Sequence, residues 1–301
     1  MKKTFWCVVL MSMIAMVSKA QNPPDLFSFE YTLAPEGDDE IEFYRTSVGA
    51  NLPIKLKKGM LINSVGFDYF QLNHNGVNFS TTDFNEIYGI NYRLMYMRPI
   101  SKSWNVQVSG GASIVSNLAS SIQSEDFLFN AGLSFQKRGG SPEKPYQLTL
   151  GVGYLPVFGE PRILPIVNYT KKLNEKYTIS LGFPRMFVAY NISQKSILKA
   201  ATWFNGFYAN LSEDVVIPGT RKAQKSLFIS AGLGLEYTYR MDQNWGIFVK
   251  GGYSFVNEYE LLDEDNNTLY DFEAAAKPYF STGITFNLKS KNKKRNDAQQ
   301  Q

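Results

Sequence analysis

Between residues 26 and 288 apolar and polar residues alternate one for one, segment after segment. In Trp104–Ile114, Trp104, Val106, Val108, Ala112 and Ile114 share one face, while Asn105, Gln107, Ser109, Gly111 and Ser113 share the other. Tyr146–Tyr154 sets Tyr146, Leu148, Leu150, Val152 and Tyr154 against Gln147, Thr149, Gly151 and Gly153. Tyr177–Phe183 and Leu227–Arg240 repeat the scheme. A side-chain period of two belongs to a strand, and strict alternation means one apolar and one polar face. The pattern predicts fourteen strands, near 26–33, 41–54, 60–72, 84–98, 104–116, 126–137, 146–156, 162–170, 176–183, 186–193, 196–209, 226–240, 244–257 and 269–288. Twelve is the other even count, reached if strands are lost around Pro184-Arg185 or at the first segment. An even count returns both chain ends to the same side.

The connections fall into two kinds. Lys57-Lys58-Gly59, Ser101-Lys102-Ser103, Asn174-Glu175-Lys176 and Asp242-Gln243-Asn244 are tight and polar, whereas 34–40, 73–83, 117–125, 210–225 and 258–268 are longer. Short periplasmic turns facing longer outer loops are the arrangement of a transmembrane barrel. Trp104, Tyr146, Tyr177 and Trp245 open strands just after tight connections, and Tyr96, Phe135, Tyr169 and Tyr239 lie near strand ends just before them. Eight aromatic residues at one level form a girdle, because an apolar ring with a polar tip suits the headgroup layer. In a lipocalin-like barrel or a β-sandwich the apolar faces would point into a core. Here the other face is small and polar, which suits a lumen, and a closed barrel leaves no strand edge bare in lipid. The fold class is all-β, a transmembrane antiparallel up-and-down β-barrel.

Composition matters mainly at the two ends. Residues 1–20 run from Lys2 and Lys3 through an apolar stretch, Phe5 to Val17, to Ser18-Lys19-Ala20 before Gln21. That is the order of a cleaved secretory signal, and the apolar stretch falls short of the roughly 20 residues a membrane helix needs. The single cysteine, Cys7, lies inside it, so the mature chain is expected to hold no thiol, disulfide or cysteine metal site. Residues 289–301 form a basic tail, read as disordered and periplasmic. The chain carries +4; removing +3 for the first twenty residues and +4 for the tail leaves −3 for residues 21–288. The basic character therefore belongs to the ends, and nucleic-acid binding loses the clustered cationic face it needs.

The last strand, Tyr279 to Leu288, places Ser281, Gly283, Phe286 and Leu288 at the polar, glycine and apolar positions of the signal read by barrel-assembly machinery. The tail after it departs from that pattern, which commonly ends the chain. With a signal ending in Ala20-Gln21 and the segment Leu181-Gly-Phe-Pro184, residues 21–288 resemble an uncharacterised outer-membrane β-barrel family of the Bacteroidota. The resemblance implies a location, the outer membrane of a Gram-negative bacterium, and a fold. Lipid, lipopolysaccharide and the barrel-assembly machinery are the expected partners; the resemblance implies no activity, and the oligomeric state stays open.

Candidate chemistry is sparse. The one histidine, His74, sits in Asn73-His74-Asn75-Gly76 with Ser80 and Asp83 nearby in sequence. A hydrolase would need a nucleophile, base and orienting group in one place, whereas Asn-Gly is a common turn pair and a histidine beside it is ordinarily solvated. Asp38-Asp39-Glu40 and Asp263-Glu264-Asp265 are acidic clusters without EF-hand spacing, and read as solvated loop charges. No catalytic residue, metal or cofactor is expected. Asp68, Arg93, Glu236, Lys250, Glu273 and Lys277 fall on the polar face, where they would point into the lumen, since charge facing lipid is costly. They predict either an ion-lined passive channel for small solutes, the leading reading, or paired ions that cross-link a sealed, non-conducting barrel. A hydrolase built on His74 comes third.

Overall fold

The computed structural model describes residues 25–37, 41–74, 77–217 and 221–288. Residues 1–24, where the signal is expected, Asp38-Asp39-Glu40, Asn75-Gly76, residues 218–220 and the tail from 289 on lie outside the described residues. The strands are β1 Phe27–Ala34, β2 Ile41–Leu56, β3 Gly59–His74, β4 Glu86–Pro99, β5 Trp104–Ser116, β6 Phe127–Gly140, β7 Pro145–Leu155, β8 Arg162–Lys172, β9 Tyr177–Phe183, β10 Phe187–Asn191, β11 Ser196–Ile217, β12 Arg221–Arg240, β13 Trp245–Leu262, β14 Thr268–Phe272 and β15 Lys277–Phe286. Strands β1 to β13 and then β15 pair antiparallel in chain order, and β15 closes the ring on β1 from Phe27↔Phe286 to Leu33↔Phe280. The barrel therefore has fourteen strands, while β14 pairs only with β13.

Short turns gather at the end of the barrel that carries both chain ends, and one device recurs in them. Ser101 Oγ accepts the backbone N–H groups of Ser103 and Trp104, Asn174 Oδ1 those of Lys176 and Tyr177, and Asp242 Oδ1 those of Asn244 and Trp245. A short polar side chain thus replaces the missing ladder partner at the reversal. The third residue on is an aromatic that opens the next strand. The N–H groups of Trp245 and Asn244 hold the Asp242 carboxyl below the usual carboxylate range.

The loop end departs from the sequence expectation. Segments 210–217, 221–225 and 258–262, expected as loop, are strand: β11 runs on to Ile217, β12 starts at Arg221, and β13 reaches Leu262. A register shift between Asn210 and Val215 breaks the alternation there and hides the strand from a pattern of two. The single expected strand 269–288 is two, split at 273–276. Beyond Ala201, β11 leaves β10 and crosses to the opposite wall, where Asn210 bridges to Ser116 of β5.

This crossing buries an apolar core inside the loop half of the barrel. Phe43 of β2 stacks on Phe228 of β12 at 4.7 Å, and Phe70 of β3 meets Phe207 of β11 at 5.0 Å. Leu72, Phe84, Ile87, Tyr259 and Leu261 are fully enclosed. Large apolar residues also point outward and lie bare, among them Val65, Leu133, Val152, Leu181, Leu235 and Val249. An apolar belt of that extent requires lipid. The lumen is polar toward the turn end and apolar toward the loop end, so the expectation of polar inward rows throughout holds for half the height.

Candidate functional site

Where the two halves meet, the interior is organised by ion pairs between strands. Arg45 of β2 holds Asp68 of β3 through Nε at 3.0 Å and Nη2 at 2.7 Å, and its Nη1 reaches across the lumen to Asn205 Oδ1 of β11 at 2.6 Å. Asn91 Nδ2 donates to the other oxygen of Asp68 at 2.9 Å. Lys199 of β11 pairs with Glu236 of β12 at 2.5 Å, and Lys250 of β13 with Glu30 of β1 at 2.7 Å. Arg185, in the connection between β9 and β10, approaches Glu236 at 3.5 Å. Each of these carboxylates is held by at least one cation, the arrangement that makes partly desolvated charge tolerable.

These groups surround a cavity of about 470 Å³, lined also by Pro156, Val157, Trp203 and Tyr279. The two rings meet at 3.9 Å. Glycines make room for them: a Cβ on Gly232 would lie 2.8 Å from the Trp203 ring, and one on Gly234 2.5 Å from the Tyr279 hydroxyl. The small residues of the polar face, read from sequence as lumen lining, here seat aromatic rings.

The wall beside the cavity is incomplete. Strand β9 has seven residues and β10 five, below the roughly 9–11 that cross a bilayer. Pairing of β8 with β9 begins at Val167, leaving Arg162–Ile166 without a partner on that side. Pairing of β11 with β10 ends at Ala201, and among the described residues no strand meets that edge of β11 again until Asn210. The gap is three strand spacings wide, roughly 14 Å. Segment 156–161 folds into it: Phe158 contacts Phe183 and Phe204, and Gly159 (φ +75°) lies where a Cβ would strike Leu227.

Among the charges expected in the lumen, Asp68, Glu236 and Lys250 belong to this cluster. Arg93 stands apart, donating to Ser109 Oγ at 3.2 Å. Lys277 is buried with its ammonium on the Ile41 carbonyl. Glu273 lies exposed in the break between β14 and β15 and not on the wall, because the split strand ends its alternation there. Arg45, Lys199, Glu30, Arg185 and Asn205 were not read from sequence. Arg45, Glu30 and Lys199 each occupy an alternate polar position, and that parity is the signal that could have found them.

The aromatic residues Tyr96, Trp104, Phe135, Tyr146, Tyr169, Tyr177, Tyr239 and Trp245 all lie toward the turn ends of their strands. Tyr146 packs on Tyr169, and Trp245 on Phe286. Ser281 and Gly283 face inward on the closing strand, with Ser281 bonded to Thr32 at 2.8 Å and Leu288 exposed just beyond it. His74 is no loop histidine. It ends β3 inside the core, against Phe84, Tyr259 and Phe272, with Nδ1 on Asn85 Oδ1 at 2.9 Å. Ser80 bonds instead to Thr82, and the Asp83 carbonyl to Asn117. Asp263 closes its own loop through Asn267.

A closed, even-stranded antiparallel barrel with a bare apolar belt is a membrane β-barrel. The chain belongs to the family described as "Domain of unknown function (DUF6268)", whose model matches residues 36–287. No curated protein sequence matches it. Among solved structures it is similar to the NanC porin (TM-score 0.41, 8% identity, 86% of this chain and 100% of that one). It is also similar to LpxR from Salmonella typhimurium (0.40, 6%, 87% and 99%) and to outer membrane phospholipase A from Escherichia coli (0.36, 12%, 91% and 96%). At such identities the likeness is one of architecture.

Proposed function

We propose that this protein is a non-conducting outer-membrane barrel, closed at its outer end, that keeps a charge-lined binding cavity at membrane depth. The setting is a Gram-negative envelope of the Bacteroidota type, reached through the signal ending at Ala20, with the short turns in the periplasm and His74 toward the outside. One observation carries the reading: the crossing of β11 to β5 fills the loop half of the lumen with enclosed apolar side chains. Ions crossing that region would have to shed their hydration among Phe43, Phe70, Phe207 and Phe228, which contribute no polar side-chain atom to replace it. The paired charges below the core cross-link the walls, and leave no continuous ring of one sign to select ions. The sealed reading therefore fits the interior better than the solute channel.

Planar-bilayer recording of the refolded mature protein tests this, with folding established by a heat-dependent gel shift. Silence from folded protein is expected. Discrete conductance steps of fixed size would overturn the proposal and restore the channel.

A further inference from the structure

The gap beside the cavity has a chemical character of its own. Its edges are backbone: the unpaired side of β11 from Trp203 to Ala209 and that of β8 from Arg162 to Ile166. A bare strand edge at bilayer depth is tolerated only where protein or a polar cavity covers it. Segment 156–161 covers part, and on this side the cavity is lined by Val157, Pro184 and Phe204. The route from lipid to cavity is thus apolar at its rim and ionic at its end.

The charges at that end are unequal. Arg45, Lys199 and Lys250 each hold a carboxylate at 2.7 Å or less. Arg185, at the sill of the gap, is the surplus cation: its side chain is 54% exposed, and the carboxylate it approaches at 3.5 Å is already bonded to Lys199. A guanidinium carries five donors in a fork that matches two oxygens of one acid group. Most of that fork is unused in the hydrogen bonds it makes here.

We propose that the gap is a lateral portal through which an anionic amphiphile, a single acyl chain bearing a carboxylate or phosphate monoester, passes from the bilayer, with its head on Arg185 and its chain along Val157, Pro184 and Phe204. This rests on the charge-lined cavity proposed as a binding site but not on the barrel being sealed. The acid group supplies acceptors for the donors that Arg185 does not spend on Glu236, and the chain replaces lipid along the Val157 and Phe204 rim.

The mature chain has three tryptophans, Trp104, Trp203 and Trp245, and only Trp203 lines the cavity. In a W104F/W245F protein refolded into phosphatidylcholine vesicles, Trp203 therefore reports on the site. The probe is 9,10-dibromostearate, whose bromines quench tryptophan at contact, with its methyl ester as the uncharged control at equal membrane loading. Saturable quenching by the acid beyond that of the ester is expected. Arg185→Gln, which removes the charge while keeping a polar side chain, should weaken it at least about tenfold, the loss expected for one charged hydrogen-bonded contact, and Arg185→Lys should restore part. Equal quenching by acid and ester, no saturable component, or unchanged affinity in Arg185→Gln protein with an intact heat-dependent gel shift would each overturn the portal. A dibromo-alkyl phosphate run alongside distinguishes the two head groups. Conductance steps in protein that still binds the acid would overturn the sealed barrel and leave the portal standing.

Discussion

His74 shows what position in the lumen does to a single side chain. It lies at the level of the outward, polar Glu42–Asn73 pair, five residues beyond the outward Tyr69, so it is clear of the bilayer. Burial among rings is the main cause that pushes its pKa from 6.5 down to about 4, with the Asn85 bond partly opposing. Its Nε2 has no partner among the described residues, so protonation would bury an unanswered cation. The folded state then binds fewer protons than the unfolded chain between those two values. Stability is complete above pH 6.5 and falls as pH drops toward 4, by on the order of 3 kcal/mol. Urea unfolding of His74→Phe protein at pH 7.5, 5.5 and 4 should lack this component; an unchanged slope would show the ring is not its source. Arg45 offers a second test. Arg45→Met alone leaves Asp68 facing the lumen without its cation and should cost about 3 kcal/mol, whereas Arg45→Met with Asp68→Leu should recover most of it. Equal losses in both proteins would argue against the clamp.

At the level of elements, closure of the loop end depends on a latch between neighbours that are far apart around the barrel. Asp126, buried in the β5–β6 connection, accepts from Asn210 Nδ2 at 2.9 Å, and Asn117 Oδ1 accepts the backbone N–H of Ser212 at 2.9 Å. Asn210→Ala with Asp126→Asn removes the charged half of the first contact while an amide oxygen stays to accept the Gln123 backbone N–H that Asp126 Oδ2 holds at 2.8 Å. The altered hairpin should swing from β5, and flickering conductance should replace silence. A folded variant as silent as the parent would mean that the apolar core alone holds the hairpin. The closing strand is equally specific. A Cβ on Gly283 would fall 2.2 Å from the Phe29 carbonyl across the β1–β15 seam, so Gly283→Val should abolish the heat-dependent gel shift by preventing closure. The last strand thus carries two demands at one position: the glycine read as part of an assembly signal is also the residue whose size the seam requires.

For the molecule as a whole, the outward belt can be tested by placing one charge on each face. Leu133→Arg puts a cation toward lipid, for which about 2–4 kcal/mol of destabilisation is expected at mid-depth. Thr149→Arg, on the inward row, should be nearly neutral, and equal effects would contradict the assigned faces. Those faces are legible in the amino-acid order alone, because the alternation from Trp104 to Ile114 or Tyr146 to Tyr154 is local: each residue's side follows from its neighbours. The fourteen strands, the turn chemistry of Ser101, Asn174 and Asp242 and the level of the aromatic residues are set by sequence in the same local sense. The crossing of β11, the latch on Asp126, the apolar core and the short β9–β10 hairpin beside a cavity are not. They depend on which distant strands meet once the ring has closed, as when Phe43 stacks on Phe228 or Arg45 reaches Asn205. The period of two says which way a residue points; whether it meets water, lipid, an ion or another ring is decided by the far wall.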